Sequence, residues 1–258
     1  MGFRRKVLWA LEEKGVKFVM KLLRFEVDQK QYQGVLKDNK IYVDQEEYSL
    51  EEVKFLPPCL PSKAVCVGLN YHDHAKEMNI PLPNQPVIFI KPSTSIIAHE
   101  DTIVYPSLTR QVDYECELAV VIKKTAKNIS KEEAKDYILG YTCANDVTAR
   151  DLQKPGEQWT TCKSFDTFLP IGPVIETDIN PHIQEINTYV NGEIKQHSNT
   201  KNLIFDIYYL VSYISQIMTL LPGDIILTGT PGGIGPLLPG DEVKVEIEGI
   251  GILVNYVK

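Results

Sequence analysis

The sequence predicts an α+β fold that is rich in β-strands, and two observations carry this prediction. Short alternating or apolar runs bounded by turn residues recur along most of the chain, which is typical of strands. Only one long stretch, residues 204–220, has apolar residues at the spacing of a helix, and Pro222-Gly223 ends it. The predicted apolar face of that helix consists of Ile204, Ile207, Tyr208, Val211, Ile214, Ser215 and Met218.

The composition excludes several classes of protein. The chain has 258 residues, of which 43% are hydrophobic and 24% charged, as in an ordinary globular protein. A net charge of −7 without a basic, aromatic-rich patch argues against nucleic-acid binding, and no apolar run approaches the ~18 residues of a membrane span. The cysteines are odd in number and lack C-x-x-C pairs, which favours reduced core thiols in a cytoplasmic protein. They are Cys59, Cys66, Cys116, Cys143 and Cys162.

The first 20 residues do not match a signal peptide. Basic Arg4-Arg5-Lys6 precedes a short apolar run, but charged residues at 12–14 interrupt it too early. A short amphipathic helix is one interpretation. We hypothesise instead that Met20 is the natural start, because a clean strand pattern opens there.

Residues 22–48 predict a small meander of short strands with turns at Gly34 and Asp38-Asn39. The predicted strands cover residues 22–27, 33–36 and 40–43. A capped helical turn follows at Ser49, and then a proline-rich joint at 55–61. We therefore divide the chain into an N-terminal extension with a small β module, residues 1–60, and a main domain, residues 61–258.

A buried strand at 64–68 leads into a polar segment that contains His74 and Glu77. Residues three apart on a helical turn lie on one side, so these two side chains can hydrogen-bond. A carboxylate that orients a histidine suits a general base. The alternative is an ordinary surface turn. Residues 87–92 then predict another apolar strand, with Lys91 near its end.

Residues 111–122 predict a strand that enters the core, because both of its faces become apolar after Leu118. Side chains two apart share a face of a strand, so Glu115 and Glu117 are expected side by side at the mouth of a dry region. Neighbouring carboxylates repel each other, and a divalent cation with oxygen ligands removes that repulsion. The alternative is that both side chains point into water at the edge of a sheet.

A third carboxylate, Asp146, follows the apolar strand pattern at 138–144, where binding residues often collect. The alternative for Asp146 is a helix N-cap. Before that strand, the capping box Ser130-Lys-Glu-Glu133 predicts a short helix. Further along, Lys163 precedes an apolar run punctuated by glycine and proline.

The C-terminal part predicts two hairpins and a glycine-rich turn. Asn191-Gly192 marks the first hairpin, and residues 238–255 form the second. Between them, residues 224–235 predict a strand that runs into the glycine-rich turn. This turn lacks the Gly-Lys-Ser/Thr of a phosphate-binding loop, which disfavours a nucleotide. Close approach to a small anion, such as a carboxylate, stays open.

Five sequence blocks, taken in order, resemble the fumarylacetoacetate hydrolase family over about residues 61–255. The blocks are Gly68-Leu-Asn-Tyr-x-x-His-x-x-Glu77, Asp113-x-Glu-x-Glu117, Asn145-Asp-x-Thr-Ala-Arg-Asp151, Lys163-Ser-Phe-Asp-Thr167 and Thr228-Gly-Thr-Pro-x-Gly233. The resemblance implies the mixed β-sandwich or roll of that family's C-terminal domain. It also implies a homodimer.

The resemblance assigns roles to residues at the matching positions. Glu115, Glu117 and Asp146 become the ligands of Mg²⁺ or Mn²⁺. His74 and Glu77 become a catalytic dyad on a loop that orders over the substrate. The remaining assignments are to substrate binding: Lys163, which is also catalytic, Thr230 in a carboxylate pocket, and Gly229, Arg150 and Gln153.

The function implied is metal-dependent chemistry on a small 2-oxo acid through an enolate. Hydrolysis of a C–C bond in an acylpyruvate, or isomerisation of a 2-hydroxymuconate-type diene diacid, comes first. If the protein is an enzyme, the alternative reaction is the decarboxylation of oxaloacetate. If it is not an enzyme, the alternative is a metal-stabilised protein that binds a 2-oxo acid without turnover. The groups that separate these outcomes line the distal pocket, which the sequence does not locate.

Overall fold

The computed structural model describes residues 20–154 and 156–258. The strands within that part are β1 Lys21–Val27, β2 Lys30–Lys37, β3 Lys40–Val43, β4 Glu46–Ser49, β5 Lys54–Leu56, β6 Ala64–Gly68, β7 Val87–Lys91, β8 Ile96–Ile97, β9 Thr102–Ile103, β10 Val112–Tyr114, β11 Cys116–Ile122, β12 Ile138–Asn145, β13 Thr148–Ala149, β14 Leu169–Glu176, β15 Glu185–Val190, β16 Glu193–Asn199, β17 Ile225–Leu227, β18 Gly235–Leu237, β19 Glu242–Ile247 and β20 Gly251–Val257. The α-helices are α1 His72–Glu77, α2 Thr160–Lys163 and α3 Ile207–Ile217. Short 3-10 turns lie at Leu50–Glu52, Ser93–Ser95, Ala134–Tyr137, Arg150–Leu152 and Thr200–Asn202.

The described strands form three sheets, of which the largest and the five-stranded one are mixed and the three-stranded one is antiparallel. The largest has the order β4-β3-β2-β1-β14-β12-β11-β17-β6-β7, with β5 added to β1 and β8 to β14. Most neighbours are antiparallel, but β6 pairs with β17 and β8 with β14 in parallel. The smaller sheets have the orders β13-β10-β18 and β16-β15-β19-β20-β9. This strand-rich, mixed architecture confirms the predicted α+β fold class.

The N-terminal meander forms with the predicted turn at Asp38-Asn39, and it has a fourth strand, β4. The predicted turn at Gly34 is wrong: Gly34 lies within β2, and the first turn is at Asp28-Gln29, where both residues have positive φ. Its first strand continues the large sheet, because β1 pairs with β14 through Lys21–Glu176 and Leu22–Ile175. The capped turn at Ser49 is present, with the reciprocal bonds of a capping box. The division of the chain after residue 60 stays a prediction. The proposed amphipathic helix and the alternative start concern residues 1–19, which lie outside the described residues.

Helix α3 is shorter than the predicted 204–220. It begins after Asp206, whose side chain accepts a hydrogen bond from the Tyr209 N–H, and it ends at Ile217. An aspartate at this position caps the free N–H groups of the first turn, so the apolar Ile204 lies outside the helix. The buried face packs into the main core and includes Ile207, Leu210, Val211 and Ile214. Of the described residues, no helix has the length and apolar character needed to cross a membrane.

The strand predicted over residues 111–122 is broken at Glu115. β10 belongs to the three-stranded sheet, whereas β11 lies in the large sheet between β12 and β17. The chain changes sheet here because two backbone N–H groups bond to side chains instead of to the backbone of a neighbouring strand. The Glu115 N–H donates to the Asn145 side chain and the Cys116 N–H to the Gln196 side chain. Every residue of β11 is buried, as predicted from its two apolar faces.

All five cysteines are buried and unpaired, which agrees with the predicted reduced thiols. The two predicted hairpins also form. β15 and β16 turn at Asn191-Gly192, where both residues have positive φ, and β19 pairs with β20. A positive φ at two central residues is typical of the tight turn that Asn-Gly favours.

Candidate active site

The three predicted metal ligands lie together because of the pairing between β11 and β12. The register sets Cys116 opposite Asn145 and Glu117 opposite Ala144, so Asp146 comes next to Glu115. The Asp146 N–H donates to the Glu115 carbonyl at 2.8 Å. One carboxylate oxygen from each of Glu115, Glu117 and Asp146 lies within 4.8 Å of the others. All three residues are buried, which rules out the exposed sheet edge, and the chain after Asp146 enters β13 instead of a helix, which rules out the N-cap.

Two buried lysines balance part of this negative charge. Lys163 Nζ lies 2.8 Å from Glu115 Oε2 and 2.7 Å from Asp146 Oδ2. Lys91 Nζ lies 2.5 Å from Asp146 Oδ1 and donates to the Val147 carbonyl at 2.9 Å. The structure therefore holds Asp146 between two ammonium groups and leaves Glu117 out of both pairs.

Glu115 has a second cationic partner, Arg150. The Arg150 guanidinium bonds to Glu115, to Gln153 and, through Nε at 2.7 Å, to Asp113 Oδ2. Burial opposes the ionisation of Glu115, but the charges of Lys163 and Arg150 outweigh it and lower its pKa to about 2. Burial also opposes a charge on Lys163, and the carboxylates of Asp146 and Glu115 nevertheless raise its pKa above the usual value.

Glu117 has a different environment, since no cation pairs with it among the described residues. Its Oε2 accepts a 2.6 Å hydrogen bond from the Gly229 N–H. Burial, followed by the charges of Asp146 and Glu115, raises its pKa well above the usual value. A buried carboxylate without a cation, beside two further carboxylates, fits a divalent metal that prefers oxygen ligands. These three residues are the ones that could hold such an ion.

The glycine-rich turn supplies backbone N–H groups to protein carboxylates. Gly229 has a φ of +102°, and a Cβ there would lie 2.7 Å from the Cβ of Asn70, so the position requires glycine. Its N–H is used by Glu117. Gly233 donates to both carboxylate oxygens of Glu77, each at 3.1 Å. The anionic groups that accept these N–H bonds are therefore carboxylates of the site itself, those of Glu117 and Glu77.

The predicted dyad lies on α1. His74 Nδ1 is 3.3 Å from Glu77 Oε2, and the His74 N–H donates to the Asp73 carboxylate at 2.7 Å. His74 is buried, whereas the Glu77 side chain is 45% exposed. With Nδ1 directed at Glu77, the second ring nitrogen, Nε2, has no partner among the described residues. It is therefore free to exchange a proton with a ligand.

A cavity of about 390 Å³ connects these groups. Its size suits a small organic ligand. Eight of the ten predicted site residues line it: His74, Glu115, Glu117, Asp146, Arg150, Gln153, Lys163 and Thr230. Glu77 and Gly229 do not line the cavity, but each bonds to a residue that does. Glu77 bonds to His74, and Gly229 bonds to Glu117.

Sequence reasoning missed three residues that build the site. Lys91 appeared only as the end of a strand, with no sign of its partner. Asn70 bonds to the Thr228 carbonyl at 2.7 Å and so fixes the start of the glycine-rich turn; its place in the first sequence block was the available signal. Gln196 is buried and bonds to Thr230, and no feature of the sequence around it pointed there.

The chain is similar to several known proteins. A family profile described as fumarylacetoacetate (FAA) hydrolase C-terminal matches residues 63–258. A protein of Methanocaldococcus jannaschii is 63% identical over 198 residues, covering 77% of this chain and 84% of its own. The mitochondrial oxaloacetate tautomerase Fahd2a of Rattus norvegicus is 46% identical over 218 residues, covering 80% of this chain and 70% of its own. The 5-carboxymethyl-2-hydroxymuconate delta-isomerase structure from Mycobacterium smegmatis is 42% identical with a TM-score of 0.87, covering 92% of this chain and 98% of its own.

Proposed function

Because the chain belongs to the fumarylacetoacetate hydrolase family, we propose that it is a divalent-metal-dependent enzyme that tautomerises or isomerises a small 2-oxo diacid. The observation that carries the proposal is the single cavity lined by the acidic triad, by His74 and by Lys163. The related isomerase and oxaloacetate tautomerase support the same reaction class, since both names describe movement of a proton within a 2-oxo or 2-hydroxy diacid.

Glu115, Glu117 and Asp146 would hold the metal, for which Mg²⁺ and Mn²⁺ are the proposed ions. A bound divalent cation would act as a Lewis acid for the negative charge that develops on the 2-oxo oxygen. Lys163 adds a fixed positive charge beside the same carboxylates, and the Phe89 ring, 5.1 Å from its Nζ, covers it on one side. Such fixed charge stabilises an enolate without having to reorganise during the reaction.

His74 is the proposed proton carrier. When Nδ1–H donates to Glu77, the lone pair of Nε2 is free to take the proton from the carbon next to the oxo group. The electron pair of that C–H bond becomes the new C=C bond, and the π pair of the C=O bond moves to the 2-oxo oxygen. Return of the proton to this oxygen gives the enol, and return to a more distant carbon of a conjugated substrate gives the isomer.

A second carboxylate on the substrate is supported by Lys154. This exposed residue lines the cavity and forms no ion pair among the described residues, whereas Arg150 and Lys163 are already bonded to protein carboxylates. An unpaired ammonium group at the rim suits a diacid such as oxaloacetate. Decarboxylation of oxaloacetate is the second candidate, because loss of CO₂ also leaves an enolate at the 2-oxo group, that of pyruvate, and would use the same groups.

A substrate panel with Mg²⁺ or Mn²⁺, before and after EDTA, tests the proposal. We expect metal-dependent keto–enol interconversion of oxaloacetate or isomerisation of a 2-hydroxymuconate-type diacid, followed by ultraviolet absorbance. Release of CO₂ would instead identify a decarboxylase, and acetate from acetylpyruvate a hydrolase.

Deuterium exchange at C3 of a 2-oxo acid separates an enzyme from a binding protein. We expect exchange that His74→Gln abolishes while metal binding, measured by calorimetry, is retained. A wild-type protein that binds metal and a 2-oxo acid but catalyses no exchange would overturn the proposed activity.

A further inference from the structure

The side chain of Gln196, on β16 of the five-stranded sheet, is fully buried and uses all of its hydrogen-bonding capacity. Its Oε1 accepts from the Cys116 N–H at 3.0 Å and from the Thr188 hydroxyl at 2.8 Å. Its Nε2 donates to Thr230 Oγ1 and to the Pro231 carbonyl, both at 2.9 Å. An amide offers two acceptor positions and two protons, so no further bond is available to it.

Two backbone groups fix which end of this amide is the donor. The Cys116 N–H can only donate, so the amide atom facing it must be the oxygen. The Pro231 carbonyl can only accept, so the atom facing it must be the nitrogen. A flipped amide would set donor against donor at Cys116 and acceptor against acceptor at Pro231. The orientation therefore follows from the backbone alone.

This orientation determines the role of the Thr230 hydroxyl. One amide proton is directed at Thr230 Oγ1, so that oxygen accepts from Gln196. The single proton of the hydroxyl remains for another partner, and the described residues provide no acceptor for it. Thr230 is buried but lines the cavity, where an incoming ligand can supply that acceptor. A carboxylate, which only accepts hydrogen bonds when ionised, matches it.

We propose that Gln196 is a positioning residue that makes the Thr230 hydroxyl a hydrogen-bond donor to a carboxylate of the bound 2-oxo acid. The inference rests on the proposed function for the identity of the ligand. It adds that recognition of the ligand depends on a residue outside the cavity wall. A free threonine hydroxyl can donate or accept; here the bond from Gln196 occupies one acceptor position of Thr230 Oγ1 and leaves the hydroxyl proton for the ligand.

The same strand also joins two other parts of the site. The Gln196 bond to Cys116 holds the residue between Glu115 and Glu117. Two positions further along β16, Ser198 donates to Asp73, the residue before His74 on α1. β16 therefore contacts the acidic strand, the glycine-rich turn and the dyad helix, which explains how one side chain can align Thr230 with the rest of the site.

The test is the affinity for oxalate, a planar dianion that imitates the enolate of a 2-oxo acid, in protein saturated with Mn²⁺. We expect Gln196→Met and Thr230→Val each to weaken oxalate binding about tenfold by calorimetry, which corresponds to about 1.4 kcal/mol. The double variant should be no weaker than Thr230→Val alone, because both changes remove the same bond. With a turned-over 2-oxo acid, Gln196→Met should raise KM more than it lowers kcat.

Thr188→Val is the matched control. It removes a bond to the other end of the same amide, so it should lower the melting temperature and leave oxalate affinity unchanged. If Gln196→Met fails to fold, Gln196→Glu keeps the volume and the acceptor oxygen. Its carboxylate would take the Thr230 proton, and the same loss of affinity is expected.

Three results would overturn the inference: additive losses in the double variant, an equal loss in Thr188→Val, or wild-type oxalate affinity in a folded Gln196 variant. Failure of the wild-type, Mn²⁺-loaded protein to bind oxalate would instead remove the proposed function, and this inference with it.

Discussion

Gly233 donates its backbone N–H to both carboxylate oxygens of Glu77 at 3.1 Å, while one of those oxygens lies 3.3 Å from His74 Nδ1. The glycine-rich turn thus holds the carboxylate that in turn orients the histidine. This relationship explains why a half-exposed side chain such as Glu77 can have a defined position. A variant at this position should therefore remove the charge of Glu77 and keep its shape.

Glu77→Gln should lower kcat about 100-fold or more, the usual contribution of general acid–base catalysis. The amide oxygen can still accept from Gly233, but the charge that favours a proton on His74 is lost. Steady-state assays under metal saturation measure the effect. Lys76→Ala, at an exposed position of the same helix, is the control and should retain wild-type kcat. Equal losses in both variants would show that the helix, and not the carboxylate, is responsible.

Glu117→Gln should stabilise the metal-free protein at pH 8 relative to the wild type. Burial and the charges of Asp146 and Glu115 raise the pKa of Glu117 in the folded state. The stability linked to this group is therefore complete at low pH, below its unfolded pKa, and is lost as the pH rises through the folded pKa. Melting temperatures in EDTA should converge between the two proteins near pH 4.

The same variant should lose the stabilisation that added Mn²⁺ gives to the wild type, because stabilisation by a ligand depends on its affinity for the folded state. A variant that is destabilised in EDTA at pH 8 would contradict the raised pKa of Glu117, and one that still gains stability from Mn²⁺ would contradict the ligand assignment.

Metal uptake should release a proton and strengthen as the pH rises. The raised pKa of Glu117 favours a proton on this carboxyl in the metal-free protein, and a metal ligand must be deprotonated. Titration calorimetry in two buffers with different ionisation enthalpies measures the proton count directly. Identical apparent enthalpies in both buffers would contradict the prediction. Glu117→Asp keeps the charge and serves as the comparison.

Lys91→Met should destabilise the protein by about 3 kcal/mol, since removing one member of a buried ion pair leaves its partner's charge poorly compensated, and Asp146 then keeps only its pair with Lys163 among the described residues. Lys91 is fully buried, and both Asp146 and the Val147 carbonyl lose a donor. Urea unfolding measures the change in the free energy of unfolding. Lys40→Met, which breaks an exposed pair with Glu47, is the control and should leave the midpoint unchanged. A stable Lys91 variant would show that Lys163 alone suffices for Asp146.

The acidic triad and the His74–Glu77 pair were predictable because most of their spacing is local. Glu115 and Glu117 are two residues apart, His74 and Glu77 are three apart, and Asp146 follows an apolar strand pattern. The break at Glu115 was not predictable, because it depends on side chains of Asn145 and Gln196 that are remote in sequence.

Lys91 and Gln196 illustrate the same limit. Lys91 contacts Asp146 across 55 residues of chain and Gln196 contacts Thr230 across 34, and only the pairing of strands brings them together. The start of α3 is a smaller example. Ile204 fits the apolar periodicity, but the N-cap at Asp206 determines that the helix begins after that residue. Periodicity predicts elements, whereas long-range hydrogen bonds decide where they begin and end.

Lys154→Met should separate diacid from monoacid substrates. Lys154 lines the cavity without an ion pair among the described residues, so it is free to bind a second carboxylate. We expect KM for oxaloacetate to rise about tenfold, equivalent to about 1.4 kcal/mol. Because pyruvate has no second carboxylate, the rate of deuterium exchange at its C3 should not change, and this makes it an internal control in the same variant. An equal loss with both compounds would place Lys154 at the first carboxylate, and no loss with either would leave the distal carboxylate to another group. Kinetics with the two compounds at matched Mn²⁺ concentrations distinguish these results.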